Sequence, residues 1–404
     1  MPRRVVVTGI GAVTPVGTGR EEMWEGLLAG RCGIGQVESF DTSRYPVHRG
    51  AEVHGFSAAD FLVELDPESL GRASQLGAAA ARLALADAGI DDGDVDPERG
   101  GVVMGTTSGE PLEVERLDDR WVAGELDLVG SRFIDLYPCR VIASSVAAEV
   151  GFSGPVTMIP TACAAGNYAM AHAFDLLRSG RADVVLAGGA DSFSRITYTG
   201  FARLGAIAPE VCQPFDRNRK GMVPGEGSAV LVLETAEGAA ARGARVWAEV
   251  AGFGLSCDAH HMTGAHPEGD GAARAMEQAL RTSGVAPDDV GYVSAHGTGT
   301  PSNDRLEAAA VRRVFGDRRV PISSVKSMLG HTMGAASAIE AAVCCLAVAE
   351  DRVPPTIHFE EADPDCDLDC VPNVAREVPV GVAMNNAYAF GGNNASVLFR
   401  SHRP

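Results

Sequence analysis

Runs of β-branched residues alternate along this chain with stretches built almost wholly from alanine and other small apolar residues. That alternation restricts the fold more than any other feature. "RRVVVTGIGAVT", "GGVVMGTT", "PVTMIPTA", "ADVVLAGGAD" and "GSAVLVLET" read as strands in the first part. "WAEVAGFGLS", "VGYVSAHGT", "VPISSVK", "VAMNNAYAFG" and "ASVLFR" read as strands in the second. Helical patterns such as "GAARAMEQALRTSG" and "RLEAAAVRRVFG" fall between them. Near-continuous apolar strands separated by helices imply an α/β architecture with buried sheets. A helix apolar on every face is buried on every face. Some helices are therefore expected between two sheets, in a layered α/β/α/β/α stack. The two runs of strands predict a duplicated half-unit, residues 1–250 and 251–404, packed as one compact body.

Composition narrows the function. Apolar residues are 46% and charged residues 22% of the 404, the balance of an ordinary globular protein. The net charge of −19 argues against nucleic acid as a partner. The longest apolar run, "GAASAIEAAVCCLAVAE", carries Glu340 in its middle, so no membrane span is expected. "MPRRVVVTGIG" is too short in its apolar part and too glycine-rich for a signal peptide. Nine cysteines follow no framework pattern, which suits a reducing cytoplasm. Cys366 and Cys370 lie four apart without a second CxxC or a histidine pair, so no metal site is expected. "TGIGAVT" lacks the third glycine of a dinucleotide fingerprint, and no cofactor is expected from it.

One cysteine stands apart. In "PTACAAGNYAMAHAFDLLRSG" only alanine and glycine flank Cys163 on its C-terminal side. Met170, Ala173, Phe174 and Leu177 recur at helical spacing, Thr161 is placed to cap the helix, and Gly180 ends it. Cys163 is then at a helix N-terminus, where the dipole lowers a thiol pKa and backbone N–H groups face an oxyanion. A small buried core residue is the equal alternative on this stretch alone.

Two histidines favour chemistry. "VSAHGTGTPSND" places His296 at the C-terminal tip of a strand, where ligands of open α/β sheets bind. "SVKSMLGHTMGAASAIEAAV" places His331 at the start of a second small-residue helix whose buried stripe is Ile339, Ala342, Val343 and Leu346. A helix N-terminus disfavours an imidazolium, so His331 is expected neutral, as an N–H donor. A cysteine that takes an acyl group, with two imidazoles donating to one thioester oxygen, suits decarboxylative carbon–carbon bond formation. Each such donor contributes about 3–4 kcal/mol when removed singly. A cysteine protease would instead need one histidine as base and a group to orient it.

These blocks together resemble the β-ketoacyl-acyl carrier protein synthases of the thiolase superfamily, both the dissociated elongation type and the type II polyketide ketosynthases. "VVVTGIGAVTPVG", "FDTSRYPVHRGAEV", "PTACAAG", "DVVLAGGAD", "PFDRNRKGMVPGEGSAVLVLE", "DAHHMTGAHPEGDGAARAM", "AHGTGTPSND", "SVKSMLGHTMGAASAIEA", "VPPTIHFEEADPDCDLD" and "NNAYAFGGNNASVLF" follow in the family's order. The resemblance implies a thiolase-like fold of two α/β halves, usually dimeric. It implies condensation of a Cys163-bound acyl chain with malonyl-acyl carrier protein, and no cofactor. His296 and His331 would be the decarboxylation donors, and Lys326 and Glu340 members of the same network. Thr298 and Thr300 would support the site. Phe390 would gate acyl entry, and its backbone N–H with that of Cys163 would form the oxyanion hole. Asn303, Asp304 and Glu307 would be structural.

The chain also departs from the pattern. Asn393 stands where the family's closing motif has threonine, and Lys220 where an acid is common. The stretch 65–77, often basic in relatives, has Arg72 as its only cation. Carrier docking is therefore expected at Arg203, Arg217, Arg219 and Lys220, or on a partner subunit. Residues 130–145 are expected to line an acyl tunnel at the dimer interface. A non-condensing acyltransferase and a chain-length-factor subunit remain as rivals. Pairing with itself and pairing with such a factor are both open.

Overall fold

The computed structural model describes residues 3–125 and 130–402. Ten strands build the central sheet. They are β1 (Val5–Thr14), β2 (Gly100–Gly105), β3 (Val156–Ile159), β4 (Val184–Asp191), β5 (Gly227–Thr235), β6 (Ala248–Cys257), β7 (Tyr292–Ser294), β8 (Ile322–Ser323), β9 (Val382–Tyr388) and β10 (Asn393–Arg400). Their spatial order is β8-β7-β9-β10-β6-β1-β5-β4-β2-β3, with the short strand Gly17–Thr18 paired to β1.

The order carries an internal repeat. β3-β2-β4 is parallel throughout, and β5 and β1 add antiparallel. β8-β7-β9 is likewise parallel, and β10 and β6 add antiparallel. Each strand of the first half thus has its counterpart five strands later. The halves join where β1 pairs antiparallel with β6, at Val5↔Val250, Val6↔Glu249 and Val7↔Ala248. β6 opens the second half and contains residue 250.

Six helices complete the stack. α1 (Arg72–Ala88) follows β1 and packs on β1, β5 and β4; α2 (Ala165–Arg178) follows β3. α3 (Asp270–Ser283) follows β6 and packs on β6 and β10; α4 (Ala336–Glu350) follows β8. α2 and α4 touch each other and strands of both halves, so they form the middle layer. Outside them lie the two half-sheets, and outside those α1 with helix Arg140–Glu149, and α3 with helix Pro301–Phe315. This is the five-layered arrangement that all-round apolar helices demand. Every residue of α4 from Ala336 to Val348 is buried. The 18-residue segment Met333–Glu350 is long and apolar enough to cross a membrane, but 89% of it is buried inside this protein.

Small residues make the layers fit. Cβ atoms at Gly9 and Gly11 of β1 would lie 2.1 Å and 2.0 Å from the carbonyl oxygens of Ala84 and Ala80 in α1. The glycines of "TGIGAVT" therefore seat a helix against a strand. Gly166 does the same between the middle helices: a Cβ there would sit 2.4 Å from the Ala338 nitrogen. Cys366 and Cys370 are buried in the apolar cluster of the second half.

Gly166→Ala is expected to destabilise the fold by about 1–3 kcal/mol, the range for overpacking a tight core. Gly200, which has open space around it on helix Arg195–Arg203, serves as the control. Gly200→Ala should be neutral or mildly stabilising in the same urea titration.

Candidate active site

The middle helices begin side by side, and each begins alike. A single 3₁₀ turn, Ala162–Ala164, precedes α2, and another, Met333–Ala335, precedes α4. Ala162 and Met333, at equivalent positions, both adopt the left-handed conformation, at φ 51° and 53°. Such strain in non-glycine residues persists only where the surroundings enforce it. In the first turn it presents Cys163. The equivalent place in the second turn is Gly334, where a Cβ would lie 2.5 Å from the Thr106 backbone. Thr161 makes no side-chain cap, contrary to expectation: its hydroxyl is buried without a partner among the described residues, because the 3₁₀ turn displaces the start of the α-helix to Ala165.

Packing of the helix starts brings distant residues together. His331 Nε2 lies 3.1 Å from Cys163 Sγ. The His296 and His331 rings are edge to face, with centroids 5.5 Å apart. The Met333 N–H donates to His331 Nδ1 at 3.2 Å. Nδ1 is thereby an acceptor, so neutral His331 carries its proton on Nε2, facing the sulfur. Both imidazoles are held well below the usual histidine range by burial, with Lys326 adding to the shift. They are neutral donors.

The thiol departs from the expected direction. Burial pushes Cys163 up to about 12; Lys326 opposes this and Asp191 adds to it. Loss of water around the sulfur outweighs the helix terminus. Lys326 is fully buried and paired with Glu340, itself buried on α4. Burial raises the Glu340 carboxyl to about 7 against the pull of Lys326. Its second oxygen has no partner among the described residues.

The loop after β7 is held from below. Glu307 accepts the backbone N–H of His296 and of Gly297 at 2.8 Å and 2.7 Å. Asp304 accepts those of Phe215 and Gly299 at 2.8 Å and 3.1 Å. Thr298 and Thr300 pair through their hydroxyls at 2.9 Å. Asn303 donates to Asp304 at 3.1 Å.

Cys163, His296 and His331 open into a cavity of about 340 Å³, whose wall also includes Thr298, Thr300 and Phe390. Phe390 is 42% exposed, and its ring rests on Phe201 at 5.9 Å. Its turn is anchored by bonds from Gly391 N–H to the Met262 carbonyl and from Asp258 N–H to the Gly392 carbonyl, at 2.8 Å and 2.9 Å. A larger surface groove of about 640 Å³ is lined by charges already paired with each other, Arg99 with Asp183 and Arg242 with Glu234.

Ligand-type atoms of Cys163, His296 and His331 all lie within 4.8 Å of one another. Two features oppose a metal ion there. The His331 nitrogen aimed at the sulfur carries the proton, and the Lys326 charge sits close enough to depress both imidazoles.

Several supporting residues escaped the sequence reading. Asp191, at the end of β4, accepts from Thr106 Oγ1, the N–H groups of Thr107 and Ser108, and the N–H of Gly334, all at 2.7–2.9 Å. It ties the loop after β2 to the turn behind His331, and burial raises it to about 6 against those four bonds. Ser337 donates to the Cys163 carbonyl and accepts from the Asn167 N–H, both at 3.1 Å. Asn385 donates to Asn167 Oδ1 and to the Ser337 carbonyl, both at 2.8 Å. A polar residue ending an apolar run, as in "VVLAGGAD", was the available signal for Asp191.

Of the proposed docking cations, Arg203 and Lys220 are exposed and form no ion pair among the described residues. Arg217 is exposed but pairs with Glu361 at 2.7 Å. Arg219 is a correction: it is buried, bonded to Asp363 and to the Pro301 carbonyl, and so holds the loop in place of meeting a partner. Arg305, on the cavity wall, is a further exposed cation without an ion pair among the described residues.

Family models match residues 2–239 as "Beta-ketoacyl synthase, N-terminal domain" and residues 247–360 as "Beta-ketoacyl synthase, C-terminal domain". The chain is 38% identical to the 3-oxoacyl-[acyl-carrier-protein] synthase 2 of Synechocystis sp. over 414 residues, covering 99% of each. It is 41% identical to the tetracenomycin polyketide synthase ketoacyl synthase alpha subunit of Streptomyces glaucescens, covering 98% of this chain and 97% of that one. Among solved structures it superposes on the ishigamide ketosynthase/chain length factor with a TM-score of 0.97 at 42% identity, over the whole of both chains. It superposes on the ketosynthase AntDE, solved with its type II acyl-carrier protein AntF, at 0.92 and 34%, again over the whole of both chains. This chain belongs to the beta-ketoacyl synthase family.

Proposed function

We propose that this chain condenses an acyl group carried on Cys163 with malonyl-acyl carrier protein, releasing CO₂ and a β-ketoacyl carrier protein, in fatty acid or type II polyketide synthesis. The observation that carries this reading is the Met333 N–H bond to His331 Nδ1. It leaves the nitrogen facing Cys163 protonated. Such a histidine donates; it cannot serve as the base that a cysteine hydrolase needs.

Cys163 takes the acyl group from its carrier thioester, and the thiol proton leaves with the carrier thiol. The backbone N–H groups of Cys163 and Phe390 hold the oxyanion, and Phe390 gates the entrance. The malonyl thioester then enters the same cavity. As CO₂ departs, its bonding electrons become an enolate, whose oxygen accepts from His296 and His331. The enolate carbon attacks the acyl carbonyl, and the Cys163 thiolate leaves and takes up a proton. Burial, with the charge of Lys326 adding to it, keeps both imidazoles neutral, and an imidazolium would surrender its proton to the enolate. Thr298 and Thr300 line the carrier arm's approach.

The two halves contribute unequally: residues 1–250 bring the nucleophile, and residues 251–404 bring both imidazoles. Arg203, Lys220 and Arg305 receive the acidic carrier protein. Trp121, Val122, Ile134 and Tyr137, exposed on and beside helices Pro111–Val122 and Ser131–Leu136, form the apolar face for a second subunit, a copy of this chain or a chain-length factor. Residues 130–145 would then border the acyl tunnel.

Intact mass after incubation with acyl carrier protein, then malonyl carrier protein, tests the assignment. Cys163→Ala should take up no acyl group. His296→Ala should be acylated normally and lose about 10²–10³-fold in malonyl decarboxylation, the usual cost of one oxyanion donor. Repeating the assay with an added chain-length factor distinguishes self-pairing from a heterodimer.

The thiol supplies a pH test. An ordinary cysteine reaches half of its full iodoacetamide reactivity at about pH 8.5. Cys163 alkylation should keep climbing with pH towards about 12, because its thiolate form is disfavoured below that value. A plateau near neutrality would contradict this.

Docking is tested by charge reversal. Arg203→Glu with Lys220→Glu should raise KM for the carrier protein at least about tenfold at low salt, with kcat preserved. Arg217→Glu, already paired in the free protein, should change it less.

A further inference from the structure

His331 and His296 are held in place by different means. A hydrogen bond from Met333 sets the ring of His331. The Nδ1 of His296 is buried and has no partner among the described residues. Glu307 fixes the His296 backbone, not its ring. What meets that ring is packing: His331 edge to face on one contact, and Tyr388 at 5.7 Å and 70° on the other.

Tyr388 is well placed for this task. It is the last residue of β9, in register with Asn394 of β10, so its backbone belongs to the sheet and not to the turn that carries Phe390. Its side chain is buried in the apolar cluster of the second half and forms part of the reaction cavity wall. Its hydroxyl is buried and makes no hydrogen bond among the described residues. Burial, with Glu307 nearby, keeps the phenol protonated. The hydroxyl makes no bond to another described residue, and the ring is the part that meets His296.

We propose that Tyr388 is the positioning residue for His296, its ring fixing the orientation in which the imidazole N–H meets the enolate oxygen. This rests on the role given to His296 above. A donor without a hydrogen-bonded orienting partner depends wholly on shape, and a misplacement of about 1 Å at a catalytic group costs about 10²-fold. The consequence is selective. Acyl transfer to Cys163 uses the sulfur and backbone N–H groups, whereas the ring contact that Tyr388 makes is with His296. Decarboxylation uses His296.

The test compares Tyr388→Phe, Tyr388→Leu and the unaltered protein in two half-reactions: acylation of Cys163 by mass, and CO₂ release from malonyl carrier protein. Tyr388→Leu should acylate within about twofold of the parent and lose at least about tenfold in decarboxylation. Tyr388→Phe keeps the ring and removes a hydroxyl that bonds to no described residue, so it should retain both rates and melt no lower than the parent. Equal loss of both half-reactions in a folded Tyr388→Leu would mean a merely structural role and overturn the proposal, as would unchanged decarboxylation. Should Tyr388→Leu fail to fold, Tyr388→Phe still decides: a tenfold fall in its decarboxylation would assign the effect to the hydroxyl and defeat the account from ring packing. If the parent itself released no CO₂, the reading of His296 would fall first, and the acylation result would show it separately.

Discussion

The close contact between α2 and α4 is what the rest of this structure depends on. Gly166 lets the Ala338 backbone approach to a distance no side chain permits. That contact sets the two 3₁₀ turns side by side, one bearing Cys163 and the other following His331. The sulfur and the imidazole nitrogen meet at 3.1 Å although 168 residues separate them. Ser337, Asn167 and Asn385 close the polar groups that such a contact would otherwise strand in the core. A buried amide without a partner costs about 1–3 kcal/mol, so this network is a condition of the contact.

Desolvation then sets the chemistry. The same burial raises the thiol and lowers both imidazoles. It therefore yields neutral donors and a protonated resting sulfur, a state suited to stabilising a transient enolate and not to hydrolysis. Lys326 works in one direction on all three groups: it favours the thiolate and disfavours the imidazolium. Removing its partner Glu340 would leave an uncompensated charge in the core, which is why the pair is buried together.

The internal repeat explains why Cys163 comes from one half and His296 and His331 from the other. Cys163 and Gly334 are equivalent positions on equivalent turns, and only one of them has room for a side chain. The second turn has become a support: its Met333 N–H orients His331, and its Gly334 N–H is gathered by Asp191 from the first half. A symmetric scaffold thus carries an asymmetric site, and each half completes the other.

Much of this was legible in the sequence. The strands, the all-round apolar helices, the layered stack, and Cys163, His296 and His331 at element ends all follow from periodicity and residue type, which are local properties. The fate of Arg219, the missing cap at Thr161 and the roles of Asp191, Ser337 and Tyr388 were not legible, because each depends on a neighbour distant in the chain. The direction of the Cys163 shift shows the divide most clearly. A helix terminus is visible in a string of letters and argues for a lowered pKa. The loss of water around the sulfur exists only once both halves have closed over it, and it is the larger effect. The sequence by itself determined which groups are present and which elements carry them. Tertiary packing alone decided their distances, their protonation and which nitrogen of His331 bears the hydrogen, because those follow from burial and from partners that the chain brings near only by folding.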